Sequence, residues 1–328
     1  MRVFYVNAEG CDYAIVANVS EGRNAAIITA CAEAIQTTPG VSLLDTHADA
    51  DHDRSVFTYA ASGNTAVAGA ALSAATLHLA ERTTATIDLR TPEKSGAGRG
   101  VHPRIGALDV VPVVPISASG TLEGAASIAR AIAAALGGTG IPAHCYGAAA
   151  RSEERRALTS IRRGEFDGLA ARHATAEGAP DFGPIAPHPS AGAVAVGARH
   201  PMVAWNIELL APSETAGLDA ARAIARAIRA SGGGEQSING LQALGFLLPR
   251  RGLTQVSMNL HDAAAAVERG DTLHAIRAVI ADLARAHGVE IGESEIVGLV
   301  NERVLRAGGD PVELRIRGGW ERAALERR

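Results

Sequence analysis

The sequence predicts an α/β chain, of the α+β kind, made of two β-α-β-β-α-β units, and three observations carry that expectation. The same order of elements is legible twice along the chain. A loop-rich stretch, "GAPDFGPIAPHPSAGAVAVGARHP" (178–201), separates the two runs. With 328 residues, of which 47% are hydrophobic and 3% aromatic, the chain is long enough for about two cores.

In the first run, residues 13–18 read as a strand, and Ser20 is placed as the cap of a helix running to Gln36, with Asn24, Ala25 and Ala26 in its first turns. Residues 41–46 and 55–61 read as two strands around a polar turn, and 65–81 as a second helix. Residues 107–116 form a short valine-rich run whose prolines suit an edge strand or a bend. An alanine-rich helix over 122–136, a strand over 143–146 and helical material to His173 follow.

In the second run, 202–210 is a strand and 213–230 a helix capped by Ser213. Strands at 241–248 and 255–260, a helix over 263–287 and a strand at 296–300 complete it. This order is the ferredoxin-like split motif, so each unit is expected to be a sheet with helices on one face. The units are placed at 1–199 and 200–328.

Charge narrows the function. The formal net charge is -4, arginines alternate with acids, and no basic stripe is interleaved with aromatics, so no nucleic-acid partner is expected. Lys94 is the only lysine of the chain. The clusters at 151–156 and 162–163 read as solvated helix faces or anion contacts. Cys11, Cys31 and Cys145 are odd in number and lack CxxC spacing, which argues against a disulfide framework or a structural zinc site. No apolar segment reaches the length of a membrane span and none follows a basic start, so the expected setting is the cytoplasm, without a membrane partner.

Three stretches could carry chemistry. "DTHADADHDRS" (45–55) gathers Asp45, His47, Asp49, Asp51, His52 and Asp53 between two apolar strands. Imidazole and carboxylate ligate metals, but Asp is also favoured in turns because it bonds nearby backbone. A substrate-facing polar loop is the preferred reading, with no metal. The glycine runs at 137–140 and 231–240 lack the lysine and hydroxyl of a phosphate loop. His102 precedes Pro103, which biases it toward an extended backbone at the mouth of the 107–116 strand. A histidine there can serve as a general base or simply meet solvent.

Nine ordered blocks resemble the glutamate formimidoyltransferase family, including the N-terminal half of animal formimidoyltransferase-cyclodeaminase. They are "NVSEGRN" (18–24), "LLDTHADADHDRSV" (43–56), "HPRIGALDVVPVVPI" (102–116), "YGAAA" (146–150), "IRRGEFDGL" (161–169), "APDFGP" (179–184), "GARHPMVAWNIELL" (197–210), "QVSMNL" (255–260) and "SEIVGLV" (294–300). The resemblance implies the two-subdomain formimidoyltransferase fold, a homodimer, and a place in histidine degradation and one-carbon metabolism. It implies transfer of a formimidoyl group from N-formimidoyl-L-glutamate to the 5-nitrogen of tetrahydrofolate, a co-substrate. The family's catalytic histidine falls on His102. Its folate loop falls on Gly183, Pro184, Ile185, Ala186, Pro187, His188, Pro189, Ser190, Ala191 and Gly192.

The chemistry extends the expected site. Asn18 or Asp45 is suited to hold the cationic formimidoyl group, with His47 beside them. Both substrates carry carboxylates, which favours forked contacts from Arg54, Arg104 and Arg199, while for Arg104 a salt bridge to Asp109 or another acid stays open as the structural alternative. Folate is expected between the subdomains, bordered also by Asn206 and Asn259. The chain departs from animal members, which have an acid at His47, Pro at Ala17, Glu at Val101 and Trp at Ala191. The segment 90–100 stands as an insertion ahead of His102. Two alternatives stay open: transfer of a formyl or formimidoyl group involving a different amine, and a folate-binding protein without catalysis.

Overall fold

A computed structural model describes residues 11–96 and 100–327. The described chain divides into two compact units, one ending at Arg199 and the other starting at His200. It is a mixed α/β protein with two open sheets of six and four strands.

The first unit runs β1 (Cys11–Val19), α1 (Ala25–Gln36), β2 (Val41–Asp49), β3 (Arg54–Ser62), α2 (Thr65–Thr86), β4 (Leu108–Pro115), α3 (Leu122–Gly138), β5 (Ala143–Gly147), α4 (Leu158–Ile161), α5 (Leu169–His173) and β6 (Val194–Ala198). Strand order is β2-β3-β1-β4-β6-β5. The first four strands form the antiparallel ferredoxin-like sheet, and β6 and β5 extend it in parallel. Alternation sends Tyr13, Ile15, Phe57, Tyr59, Val111 and Val113 into a core shared with α1, α2 and α3. On the other face, a smaller cluster of Ile105, Val110, Tyr146, Ile161 and Leu169 seats α4 and α5.

Three local expectations change. The α1 cap is Asn24, whose side chain accepts from the Ala26 and Ile27 amides, while the buried Ser20 hydroxyl donates to the Gly106 carbonyl at 2.7 Å. β6 lies within the stretch read as loop. The two strands around the 45–55 segment reach further, to Asp49 and back to Arg54, so most of that segment is strand rather than loop.

The second unit runs β7 (Val203–Leu210), α6 (Glu214–Ile228), β8 (Leu241–Leu248), β9 (Leu253–Leu260), α7 (Ala263–Glu268), α8 (Leu273–Ala286), β10 (Glu290–Val297), α9 (Glu302–Ala307) and α10 (Pro311–Leu314), with sheet order β10-β7-β9-β8. Trp205, Ile207, Val256 and Met258 meet α6 and α8 in its core. The single helix expected over 263–287 is broken at Gly270, which takes a φ of +90°, and Thr272 caps the second half. The final strand comes earlier than the expected 296–300.

Candidate functional site

The register of the first sheet collects the site. His47, Val56, Asn18, Val110, Ala195 and His144 lie in one row across its six strands, and Asp45 pairs with Thr58 one step along. Phe57 and Tyr59 point into the helical core, so their neighbours Val56 and Thr58, and with them Asn18, Asp45 and His47, occupy the opposite face. Arg54 shares it and bonds Asn18 Oδ1 through Nη1 at 3.1 Å.

From Arg54 the geometry leads to His102. Arg54 Nη2 donates to the Pro103 carbonyl at 3.0 Å and to Asp109 Oδ2 at 3.1 Å. Asp109 is fully buried, its Oδ1 takes the Ile105 amide at 2.8 Å, and Arg162 also bonds its Oδ2. The "HPRIGALD" turn is therefore closed by its own acid and clamped by a cation from β3. His102 sits half-buried at its head, its ring 5.9 Å from that of His52. His52 Nδ1 is in turn 3.0 Å from Asp49 Oδ1.

Burial, then the positive charges of Arg54 and Arg162 and the charge His52 would carry, hold His102 well below the ordinary imidazole range. The ring is a neutral base at pH 7. Burial, Arg162 and Arg104 likewise press Arg54 down to about 9 against the pull of Asp109, and it stays cationic at that pH. Arg54 and Arg162 face the one Asp109 carboxylate, which leaves a positive excess suited to an anionic ligand group. Tyr146 and Arg199 share a side-chain hydrogen bond, and burial lowers Arg199 and raises Tyr146.

Arg104 is not placed to hold a substrate carboxylate. It is 4% exposed, donates to Asp53 Oδ2 at 3.2 Å and bonds the Lys94 carbonyl. Asp53 also receives Lys94 Nζ at 2.7 Å, and the same ammonium reaches Glu21 Oε2 at 2.9 Å. The segment 90–100 thus drives the only lysine into a buried ion network beneath the 49–54 turn; its residues 97–99 lie outside the described set. The packing needs glycine: a Cβ on Gly22 would lie 2.1 Å from the Asp49 carbonyl oxygen, and one on Gly100 2.0 Å from that of His52.

The 183–192 loop is part exposed and part core. Gly183, Pro184, Ile185, Ala186 and Pro189 are exposed, and Pro187, His188 and Ser190 half-buried. Ala191 is 3% exposed and belongs to the main core, so its side chain offers no ligand surface, and Gly192 is buried beside it. His188 and Gly192 exchange backbone hydrogen bonds at 2.9 Å, and His188 Nδ1 accepts the Ala191 amide at 3.1 Å. In the second unit, Asn206 (8% exposed) and the half-buried Asn259 share the sheet face away from the core residues Trp205 and Met258.

The sequence reading did not include Asp109, Arg162, His52 or Tyr146 in the site. An acid inside an apolar strand is a signal for Asp109, His52 lies in the 45–55 polar string, and Arg162 and Tyr146 lie in blocks of the family resemblance, but no local pattern brings the four together. Among the described residues no group of three or more His, Cys, Asp or Glu side chains is placed to hold a metal.

Sequence comparisons bear on this geometry. The profile described as "Formiminotransferase domain, N-terminal subdomain" matches residues 13–199, and that described as "Formiminotransferase domain" matches 204–310. The chain is 35% identical over 291 residues to glutamate formimidoyltransferase of Streptococcus pyogenes serotype M1, covering 88% of this chain and 89% of that protein. It is 35% identical over 295 residues to glutamate formimidoyltransferase of Thermoplasma acidophilum, with 88% of each chain covered. Formimidoyltransferase-cyclodeaminase of Gallus gallus is 36% identical over 294 residues, 88% of this chain and 50% of that protein.

Proposed function

The chain belongs to the formiminotransferase domain family, and from that membership we infer that this transferase moves a formimidoyl group from N-formimidoyl-L-glutamate to N5 of tetrahydrofolate, with His102 as its acid–base group. The observation that carries the reading is His102 itself, a neutral imidazole between cationic guanidiniums, at the head of a turn clamped by Arg54 and Asp109.

The chemistry needs a proton moved from one nitrogen to another. As N5 attacks the formimidoyl carbon, neutral His102 takes the N5 proton; as the carbon–nitrogen bond to glutamate breaks, the imidazolium returns it to the departing nitrogen. A ring held neutral is ready for the first half, and the same surroundings make its imidazolium a willing donor in the second. Asn18 and Asp45, with His47 beside them, are suited to the cationic formimidoyl group. The positive excess of Arg54 and Arg162 suits a glutamate carboxylate, and Arg199 a further one.

The 183–192 loop, Asn206 and Asn259 are assigned to folate. The protein is assigned to histidine degradation in the cytoplasm and to a homodimer, with residues 1–199 and 200–328 as its two subdomains. Incubation with formimidoylglutamate and tetrahydrofolate, followed through the absorbance of the folate product, tests the reading. Steady turnover is expected; none from protein that binds folate would overturn this substrate pair.

A further inference from the structure

Two buried histidines of the first unit take no part in the chemistry above, and their hydrogen bonds admit one arrangement of protons. His144 on β5 is fully buried, and His173 at the end of α5 is 2% exposed. Arg155 Nη2 lies 3.0 Å from His144 Nδ1, and His144 Nε2 lies 2.9 Å from His173 Nε2. His173 Nδ1 lies 2.7 Å from the Ile185 carbonyl oxygen.

A guanidinium only donates, so His144 Nδ1 accepts and carries no proton. Neutral His144 then keeps its proton on Nε2, which donates to His173 Nε2. That leaves the His173 proton on Nδ1, where it donates to the Ile185 carbonyl. Each ring proton meets an acceptor, both rings are neutral, and each is fixed in one tautomer.

A further proton on His173 would set two N–H groups against each other, and the surroundings oppose it. Arg155, Arg172 and Arg151 face the pair from the 153–155 turn, from α5 and from the segment ahead of that turn. Asp181 is the acid alongside, and it is engaged by Arg151 at 2.9 Å, by Arg155 at 3.4 Å and by the Cys145 amide at 2.7 Å. Burial, followed by Arg172, His173, Arg155 and Arg151, pushes His144 down to about 2, and burial also lowers His173.

The chain of bonds ends on the 183–192 loop. Phe182 is tied to Ala143 and His188 to Gly192, but Ile185 between them is 65% exposed. Among the described residues, the bond from His173 to the Ile185 carbonyl is the one hydrogen bond that reaches residues 183–187.

We propose that Arg155, His144 and His173 form a proton-ordered anchor that fixes residues 183–187, and that His173 is thereby a positioning residue for folate. The folate half rests on the function proposed above; the anchor does not.

Two-bond proton–nitrogen spectra of the full-length protein between about pH 6 and 8 test the anchor directly, in the ordinary titration range of imidazole. Both rings should be neutral throughout, with the proton on Nε2 in His144 and on Nδ1 in His173. A charged ring, or the opposite tautomer in either, overturns the anchor. In His173→Phe, which keeps a buried ring and removes both the donor to Ile185 and the acceptor of the His144 proton, the order parameters of Ile185 and Ala186 should fall below about 0.6, with β4 and β6 unchanged. The KM for tetrahydrofolate should rise about ten-fold, the worth of one buried hydrogen bond, with kcat and the KM for formimidoylglutamate within about two-fold. A loop that stays ordered, or an equal rise in both KM values, overturns the positioning role. Wild-type protein with the expected tautomers and no folate turnover would refute the reaction and the folate half while the anchor stands.

Discussion

At Asp109 one fully buried carboxylate fixes the places of two cations and of the His102 turn. The acid itself was visible as the single charge in "GALDVVPVVPI". Its partners were not, because Arg54 and Arg162 lie 55 and 53 residues away in sequence. Arg104, read as a carboxylate contact, shows the same limit: sequence identifies a forked donor but not which acid claims it. Electrostatics at this scale yields a test. Removing the Arg162 charge leaves Arg54 on Asp109 but lessens the repulsion that keeps His102 neutral, so the imidazolium is favoured and its pKa rises. In Arg162→Gln the acid limb of the pH profile of kcat/KM should therefore move up by about one unit. A limb that stays in place or moves down contradicts the electrostatic account.

The strands and helices with strong amphipathic patterns were legible, as were the two β-α-β-β-α-β runs. β6 was hidden because a parallel strand buried on both faces shows no alternation, and "VAVGA" follows a run of Pro and Gly. β10 was misplaced for the opposite reason: it is an edge strand, and "EIGESEIV" carries too many acids to read as one. The segment 90–100 reads from the sequence as an insertion bearing on the choice of donor or acceptor, yet the Lys94 side chain from it is 9% exposed between Glu21 and Asp53. Lys94→Met would leave Asp53 with Arg23 at 3.7 Å and Arg104 at 3.2 Å, and would take the ammonium from the buried Glu21. Chemical denaturation should register a loss of about 3 kcal/mol, as when one partner of a buried ion pair is removed. A loss under about 0.5 kcal/mol, the level of an ordinary surface change, would contradict a structural role for the segment.

On the scale of the whole molecule, each unit has its own core, and among the described residues no helix is long and apolar enough to cross a membrane. Three histidines of the first unit, His102, His144 and His173, are held below their ordinary range, chiefly by burial. An unfolded chain binds protons on them below about pH 6.5 while the native chain does not, so stability falls as pH drops below that value. Each ring that stays neutral contributes a slope of about 1.4 kcal/mol per pH unit. Denaturant unfolding of the first unit should thus be easier at about pH 5.5 than at 7.5, by up to about 4 kcal/mol. Equal stability at the two values would mean that the rings titrate in the native state.

The turnover of His102→Ala on formimidoylglutamate and tetrahydrofolate bears most directly on the assignment of function. The ring heads a turn whose geometry is fixed by Arg54, Asp109 and Ile105 rather than by His102 itself. The variant should therefore fold and bind folate much as the wild type does. Its kcat should fall by roughly 10²–10⁴, the worth of a positioned acid–base group. A folded His102→Ala protein with wild-type turnover would contradict the mechanism.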